Sequence, residues 1–346
     1  MDARPYFSVI VLAWQVERYI EACLRSVQTQ RFENFEAIIV VPEGTDDTSG
    51  ICERFIKDDP RFRIEKTVNR GQLSNRLLGA AKAKGTYLLF LDGDDLWDRE
   101  LLSTLYDASS DRQRDILIFG YERFIGDRVI DRVPSLFPHG TVFSGSKKKD
   151  FFYELIFGKK LNPMWDLAIR AELLEKLSFD AARISRMYMF EDALFVCTAA
   201  DAAGEILYLG NMPLYRYRMR EGSVMHRFME SEIRDYDTMR AAEWQIMQNR
   251  GLTSCKERFF SDTAKRIADW IYRCAMADIP MEARFDEYHW LKNDAVLFPQ
   301  IAPYLKEVPM GKRHRMFVML FFRSDRMLKC YILAYQKLKA SKNRWI

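Results

Sequence analysis

The sequence predicts an α/β fold: a mostly parallel sheet sandwiched by helices, followed by a helical C-terminal region. Apolar, β-branched segments alternate with amphipathic helical segments over the first 110 residues, which is typical of a parallel sheet covered on both faces. Beyond about residue 228 nearly every segment has helical periodicity. The composition, 48% hydrophobic and 29% charged, is that of a folded globular protein.

Four strands, each followed by a helix, are predicted in order along the chain. The strands are YFSVIVL (6–12), FEAIIVV (35–41), FRIEKTV (62–68) and TYLLFLD (86–92). The helices cover 16–27, a stretch from Thr45 or Asp46 to Ile56, 72–83 and 98–108. A fifth strand covers 115–124, short strands and loops fill 121–146, and a strand pair is expected near EILYLG and PLYRYRM. Later helices include 230–249 and 256–277.

Polar residues follow each of the first four strands. The strand ends hold Ala13-Trp14-Gln15, Pro42-Glu43-Gly44, Asn69-Arg70-Gly71 and Asp92-Gly93-Asp94-Asp95. Parallel sheets bind ligands beyond the carboxyl ends of their strands. The sequence therefore predicts a ligand site at this edge of the sheet.

The sharpest local signal is FLDGDD (90–95), in which a buried strand delivers three carboxylates to one turn. Carboxylates crowded this closely repel one another unless a cation holds them. Mg²⁺ or Mn²⁺ suits oxygen ligands and usually also binds substrate phosphates. The alternative is an exposed acidic turn that caps the helix at 98–108.

Several motifs in the same order resemble the family 2 glycosyltransferases, which have the GT-A fold. They are SVIV, EGTDDTSG, NRGQLSNRLLGAAKAKG, FLDGDD, FEDALF and YRYRMREGS, and the resemblance covers roughly residues 6–226. It implies a Mn²⁺ or Mg²⁺ cofactor with Asp94 as a direct ligand. It also implies that Asp92 contacts the ribose or sugar of a nucleotide-sugar donor.

A second acidic motif, MFEDALF (189–195), opens a helical segment. Inverting sugar transfer needs a base near the acceptor hydroxyl, opposite the departing nucleoside diphosphate. By resemblance that base is Asp192, with Glu191 orienting it or binding the acceptor. The alternative is a helix N-terminus stabilised by two acids, which is common.

A basic motif, LYRYRMREGSVMHR (214–227), combines arginines with aromatic residues. A departing diphosphate needs its charge neutralised, and arginine does this through bidentate hydrogen bonds. Arg218 is the candidate for donor binding, and His226 is the second candidate, as a metal ligand. The alternative is a solvated basic strand edge.

The remaining site residues are assigned by the resemblance. Ala13, Gln15, Glu43, Arg76 and Gly93 are expected to bind the donor. Pro42-Glu43 and Trp14-Gln15 replace the two acids and the Tyr-Asn pair usual in the family, which indicates altered donor recognition. Trp165 and Asp166 fall where the family has a Trp-Asn pair facing the acceptor; the alternative for Trp165 is a place in the core.

Charge is distributed unevenly along the chain. Residues 311–346 hold ten Lys/Arg and one acid, a formal charge of +9, so the first 310 residues carry −5 of the total of +4. A stripe of Phe317, Phe321, Leu328, Tyr331, Tyr335 and Leu338 runs through this tail. Two interpretations remain open: a basic amphipathic helix on an anionic membrane, or a helix packed on the protein with a solvated basic face. Nucleic acid is not expected, because no nucleic-acid module accompanies the tail.

The predicted domains are a donor-binding and catalytic domain (1–227), a helical extension (228–310) and the basic tail (311–346). Six scattered cysteines without a CxxC pair, and an N-terminus without a secretion signal, favour a cytoplasmic location. The basic tail and the resemblance to bacterial surface-polysaccharide enzymes imply a peripheral position on the inner face of the cell membrane.

The predicted function is inverting, metal-dependent transfer of a sugar, with a UDP-sugar as the first expected donor. The expected acceptor is a saccharide or lipid-linked saccharide of cell-surface polysaccharide synthesis. The alternative is a non-catalytic, saccharide-binding or scaffolding relative with the same fold. A nucleotidyltransferase would need a glycine-rich basic loop where AWQVER stands, and a glycoside hydrolase needs no metal-diphosphate motif.

Overall fold

The computed structural model describes residues 4–220, 229 and 231–342, without the side chains of 211 and 338–342. The chain divides into two compact units, Met1–Ser223 and Val224–Ile346. The predicted domain boundaries at 227/228 and 310/311 stay predictions.

The first unit alternates strands and helices. Its strands are β1 (Phe7–Leu12), β2 (Phe35–Pro42), β3 (Phe62–Thr67), β4 (Tyr87–Asp92), β5 (Leu96–Trp97), β6 (Ile116–Ile125), β7 (Arg128–Arg132), β8 (Thr141–Ser144), β9 (Leu167–Arg170) and β10 (Glu205–Arg218). Its helices are α1 (Ile20–Gln28), α2 (Thr48–Phe55), α3 (Gln72–Ala80), α4 (Leu101–Ser109), α5 (Lys148–Tyr153), α6 (Ala171–Leu174), α7 (Ala181–Ile184) and α8 (Glu191–Ala202).

The strands form one mixed sheet in the order β3-β2-β1-β4-β9-β6-β10-β5, with β7 beside β6 and β8 beside β10. The pairs β3–β2, β2–β1, β1–β4 and β6–β10 are parallel, whereas β9 runs antiparallel between β4 and β6. The predicted α/β fold, with a helical region after it, is confirmed.

The first four strands end at one edge of the sheet because they are parallel and in register. Leu12 at the end of β1 pairs with Val40 of β2 and with Asp92 at the end of β4. All six residues of β1 are buried, since helices cover both faces of this part of the sheet. The acidic turn after β4 is thereby placed beside the loop after β1.

Helix α3 lies close to the sheet because Gly79 has no side chain. A Cβ at Gly79 would lie 2.7 Å from methyl groups of both Ile10 and Val40. A larger residue would push α3 outwards, because a packed core has little room for extra atoms. The close approach matters for the site, since α3 carries Arg76.

The strand pair expected near EILYLG and PLYRYRM is a single long strand, β10. Its pairing with β6 shifts register between Leu209 and Pro213 and again between Pro213 and Tyr215. Proline has no N–H to donate, so a sheet accepts it where the ladder is already interrupted. The chain therefore continues through a bulge at Pro213, so one strand stands where a strand pair was expected.

A buried hydrogen bond joins β10 to the turn after β4. The Tyr215 hydroxyl donates to Oδ2 of Asp95 at 2.6 Å, and the Arg218 backbone N–H donates to Oδ1 at 2.7 Å. Burial raises the pKa of Asp95 well above its usual range; Asp94 and Asp92 add to the increase, and these two donors oppose it.

The second unit is helical. Its helices are α9 (Glu232–Asn249), α10 (Lys256–Met276), α11 (Met281–Asn293), α12 (Phe298–Glu307), α13 (Lys312–Arg323) and α14 (Asp325–Lys342). Helices α11 to α14 all pack against α10. Within the described part of the chain, no helix is both long enough and apolar enough to span a membrane.

The apolar stripe predicted in the tail lies mostly inside this unit. Phe317, Phe321 and Leu328 are each 0% exposed, and Tyr331 and Tyr335 are partly covered. The side chain of Leu338 lies outside the described residues. The lysine and arginine side chains described on α13 and α14, from Lys312 to Lys337, are exposed.

Replacing Tyr215 with phenylalanine tests the hydrogen bond to Asp95. We expect the free energy of unfolding to fall by about 1–3 kcal/mol at neutral pH, because a buried carboxylate loses a donor. The Tyr215 hydroxyl lowers the pKa of Asp95, so its removal raises that pKa further and costs stability only where Asp95 is ionised in the folded protein. The deficit should therefore be smaller at about pH 4, close to the usual aspartate pKa.

Urea unfolding at both pH values measures this difference. Tyr217→Phe is the matched control, since the Tyr217 hydroxyl makes no hydrogen bond to any residue in the range 4–220. An equal loss of stability in the two variants, or a deficit that does not depend on pH, would contradict the assignment.

Candidate active site

The three carboxylates after β4 have three different partners. Asp92 accepts a hydrogen bond from Nη2 of Arg76 at 2.6 Å. Asp94 forms an ion pair with Nε of Arg220 at 2.9 Å. Asp95 is fully engaged by β10, so it is not available to a ligand. The turn is therefore an organised site rather than a solvated acidic loop.

Arg76 joins the two acidic motifs. Its Nη2 bonds to Asp92 and its Nη1 bonds to Oδ1 of Asp192, both at 2.6 Å, although the arginine is only 1% exposed. Burial lowers the pKa of Arg76, but the charges of Asp192 and Asp92 raise it by more, so the guanidinium stays charged. Two carboxylates from distant parts of the sequence thus meet on one buried cation.

Helix α8 presents the second acidic motif from its first turn. Phe190, immediately before the helix, has a left-handed backbone with φ of 64°, which is costly for a residue with a side chain. Phe195 packs edge-on against Phe90 of β4, with ring centroids 5.7 Å apart. This contact anchors α8 beside β4, and it thereby fixes the position of Glu191 and Asp192 in the first turn of the helix. Glu191 is 7% exposed.

The environment of Asp192 suits a proton acceptor. Burial raises the pKa of Asp192, the Arg76 charge opposes the increase, and Asp92 adds to it. The backbone N–H of Met164 lies 3.5 Å from Oδ2, at the limit of a hydrogen bond. The carboxyl is a stronger base than a solvated aspartate and is held in one orientation.

The loops after β1 and β2 hold each other in place. Trp14 Nε1 donates to the Glu43 carbonyl at 3.1 Å, and Gln15 Nε2 donates to Thr45 Oγ1 at 2.9 Å. Gln15 has a left-handed φ of 53° and is exposed at this edge, as is Glu43. The residues that replace the family's usual pairs therefore support one another.

Ala13 and Gly93 allow the backbone of these loops to pack closely. Ala13 is 0% exposed, and its N–H donates to the Val40 carbonyl. A Cβ at Gly93 would lie 2.9 Å from the Leu12 carbonyl oxygen, so this position needs glycine. Both residues shape the edge of the sheet, and direct contact with a donor stays a prediction.

Trp165 and Asp166 lie beneath this region. Trp165 is 8% exposed and stacks on Tyr215 and Tyr217, with ring centroids 4.3 and 5.5 Å away. Asp166 is 4% exposed, and burial, with a further contribution from Asp192, raises its pKa well above the usual range. Trp165 supports β10 from the core; acceptor contact by either residue stays a prediction.

Arg218 connects the basic motif to the acidic turn. Its Nε donates to the backbone carbonyl of Asp94 at 2.6 Å, and its guanidinium stacks on Tyr19 and Phe124. His226 lies outside the described residues. Sequence reasoning did not select Arg220 or Tyr215, although both belong to the YRYRMRE run that it singled out.

The residues present fit a divalent cation held together with a substrate phosphate. Burial raises the pKa of Asp94, Asp92 adds to the increase, and Arg220 and Arg218 oppose it, so a cation bound at Asp94 would stabilise its ionised form. No cluster of three acidic, histidine or cysteine side chains in the described ranges could hold a metal on its own. Asp94 is the available carboxylate, and Mg²⁺ and Mn²⁺ sites commonly combine one or two carboxylates with substrate phosphates.

The chain is similar to known glycosyltransferases. Residues 8–176 match the family described as Glycosyl transferase family 2. Glycosyltransferase GlyA of Streptococcus pneumoniae serotype 4 is 29% identical over 238 residues, which cover 64% of this chain and 32% of GlyA. The chain therefore spans about a third of the length of that relative.

Two solved structures share the fold. S. aureus TarS 1-349 in complex with UDP-GlcNAc has a TM-score of 0.59 and 19% identity, covering 92% of this chain and 91% of that one. Mannosyltransferase PcManGT from Pyrobaculum calidifontis, in complex with GDP-Man and Mn²⁺, has a TM-score of 0.53 and 14% identity, covering 99% and 88%. The match over residues 8–176, the curated relative and the two solved structures together support a family 2 glycosyltransferase with a GT-A-like fold.

Proposed function

We propose that the protein is an inverting glycosyltransferase that moves a sugar from a nucleoside-diphosphate sugar to a saccharide or lipid-linked saccharide hydroxyl. The reaction would serve the synthesis of a cell-surface polysaccharide. The observation that carries the proposal is the pair of ion pairs made by Arg76, which hold Asp92 and Asp192 at one point of the site.

The proposed reaction is a single displacement at the anomeric carbon. Asp192 removes the proton of the acceptor hydroxyl, and the hydroxyl oxygen attacks the anomeric carbon of the donor sugar. The bond between the anomeric carbon and the diphosphate breaks at the same time on the opposite face. An α-linked donor would give a β-linked product. Glu191, in the same first turn of α8, orients the acceptor or Asp192.

Positive charge for the departing diphosphate would come from the arginines next to the acidic turn. Arg220 contacts the Asp94 carboxylate and Arg218 contacts its backbone, so both guanidiniums border the position where the phosphates would lie. Asp94, with His226 as a second candidate, would hold Mn²⁺ or Mg²⁺. When bound, the ion would neutralise charge on the leaving diphosphate.

A uridine nucleotide is the first candidate for the donor. The Gln15 and Glu43 loops lie at the carboxyl ends of β1 and β2, where a sheet of this topology binds ligands. TarS, which shares the fold, was solved with UDP-GlcNAc. Gln15, Glu43 and Asp92 would contact the nucleotide, and Trp165 and Asp166 would support or contact the acceptor.

Replacing Asp192 with asparagine separates the transferase from a non-catalytic relative. We expect turnover to fall about 10²–10⁴-fold, because loss of a general base has effects of this size. UDP binding in the presence of Mn²⁺, measured by calorimetry, should persist. Transfer is measured as UDP release in the presence of saccharide acceptors.

Asp107→Asn is the matched control, since Asp107 is an exposed aspartate on α4. It should leave both turnover and UDP binding unchanged. Wild-type protein that binds UDP but transfers no sugar to any acceptor would contradict the transferase proposal. Full turnover in the Asp192→Asn variant would contradict the proposed role of Asp192.

The pH dependence of kcat/KM tests the same base independently. Because the pKa of Asp192 is raised, kcat/KM should fall on the acid side at a higher pH than the value of about 3.9 of an ordinary aspartate. Arg76→Gln removes the charge that lowers this pKa, so the acid limb should move to higher pH. Asp92→Asn removes a charge that raises it, so the limb should move to lower pH.

Arg76→Lys retains the positive charge and serves as the control for Arg76→Gln. Its acid limb should stay close to that of the wild type even if its rate is reduced. Acid limbs that move in the same direction in the Arg76→Gln and Asp92→Asn variants would exclude Asp192 as the titrating base.

An anionic membrane surface is the proposed second partner of the chain. On α13 and α14 the exposed apolar residues Met316, Met319, Phe322 and Met327 lie among exposed arginines and lysines. Asp325 is the acid on these helices, and it is already paired with Lys292 and His289. A basic face that also offers apolar side chains suits the headgroup region of an anionic bilayer.

Vesicle co-sedimentation tests this proposal. The protein should bind vesicles containing phosphatidylglycerol more strongly than phosphatidylcholine vesicles, and added salt should weaken the binding. Met319→Glu should reduce it, whereas Val296→Glu, at a residue 54% exposed on the same unit, should not. Equal binding to both lipids, or no effect of Met319→Glu, would contradict the proposed surface.

A further inference from the structure

A cavity lies next to the acidic turn after β4. A cavity of about 490 Å³ is bounded by the start of α1, by Leu96 of β5, by the β6–β7 turn and by the end of β10. Its lining residues are Arg18, Tyr19, Ala22, Leu96, Phe124, Gly126, Asp127, Arg216 and Arg218. This volume lies within the range of small-molecule sites in proteins.

The charge of the lining is positive. Arg18, Arg216 and Arg218 face one lining acid, Asp127. Arg216 is offset by an ion pair with Glu122 at 2.9 Å. Arg18 is exposed, and neither Arg18 nor Arg218 has an ion-pair partner among the described residues. Two guanidiniums are therefore available to an anion.

Two aromatic rings hold the arginines of β10 in position. The Arg218 guanidinium lies 4.8 Å from the ring centroid of Tyr19 and 4.5 Å from that of Phe124. Arg216 lies 4.9 Å from the Phe124 ring. Stacked guanidiniums lose less conformational freedom when they bind an anion, and the rings offer apolar contact to a sugar.

The cavity shares the loop after β1 with the proposed nucleotide site, through Arg18 and Tyr19, but otherwise lies on the other side of β4. The sheet order places β6, β10 and β5 on the opposite side of β4 from β2 and β3. No residue of the loops after β2 and β3 lines the cavity. Arg218 nevertheless donates to the Asp94 carbonyl, so the cavity adjoins the place where the reaction would occur.

We propose that this cavity binds an anionic group, a phosphate or a carboxylate, on the acceptor saccharide. The inference rests on the proposed transferase function and names the class of acceptor: a negatively charged saccharide. Arg18 pairs with the anion, Arg218 forms the wall that the cavity shares with the proposed diphosphate position, Tyr19 contacts the sugar, and Asp127 opposes binding by charge repulsion.

Calorimetric titrations on the full chain test the proposal, with the donor site filled by saturating UDP and Mn²⁺. The probes are glucose 6-phosphate, glucuronate and glucose. We expect the two anionic sugars to bind more tightly than glucose, and the stronger of the two to identify the anion as phosphate or carboxylate.

Two variants should change the affinity for the anionic sugars in opposite directions. Arg18→Gln should weaken it by about two- to fivefold, the range expected for an exposed ion pair. Asp127→Asn should tighten it by a similar factor, and a gain of affinity cannot result from misfolding. Arg99→Gln, at an exposed arginine outside the cavity, is the matched control and should have no effect.

The affinity for UDP is measured in parallel and distinguishes the two proposals. If Arg18→Gln weakens UDP binding, the cavity holds the donor diphosphate and the acceptor proposal is wrong. If Arg99→Gln has the same effect as Arg18→Gln, or if glucose binds as tightly as its charged analogues, the cavity has no specific anion site. Wild-type protein that does not bind UDP would instead contradict the proposed function itself.

Discussion

The site depends on one buried arginine that is shared by two carboxylates. Arg76 is held by α3 against the sheet, and it pairs with Asp92 at the end of β4 and with Asp192 at the start of α8. Without its charge, the carboxylates of Asp92 and Asp192, which are 25% and 27% exposed, would face each other without the cation that they share. The same ion pairs that permit this concentration of negative charge therefore also fix the distance between the proposed donor and acceptor halves of the site.

The neighbouring carboxylates show how similar residues in one turn take different roles. Both carboxylate oxygens of Asp95 accept hydrogen bonds, from the Tyr215 hydroxyl and from the Arg218 backbone, so its function is to attach β10 to the turn. Asp92 binds Arg76 through Oδ1, and its side chain stays 25% exposed. Asp94 remains, with an arginine on one oxygen. A cation at this turn would rely on Asp94 and on ligand oxygens, which explains why three adjacent acids do not form a metal cage by themselves.

Much of the fold could be predicted from local sequence, because strands buried on both faces are apolar throughout and short helices separate them. The strand ends also predicted a ligand site at the edge of the sheet where the acidic turn after β4 lies. The ion pairs of Arg76 could not be predicted in this way, since the arginine and Asp192 are 116 positions apart and meet only through the packing of α3 and α8 on the sheet. The bulges in β10 were missed for a related reason: Pro213 has the same local signature in a turn and in an interrupted ladder.

The tail illustrates the limit of periodicity as evidence for a binding surface. A stripe containing Phe317 and Phe321 is consistent with burial in a bilayer or in the protein, because both environments favour apolar side chains. Packing on α10 accounts for that stripe, so a membrane surface can only involve the other face of the helices. On that face methionines are interspersed with basic residues, and Met319 is 56% exposed. Exposed apolar side chains without a partner carry information that periodicity alone does not, since packing within the unit leaves them unexplained.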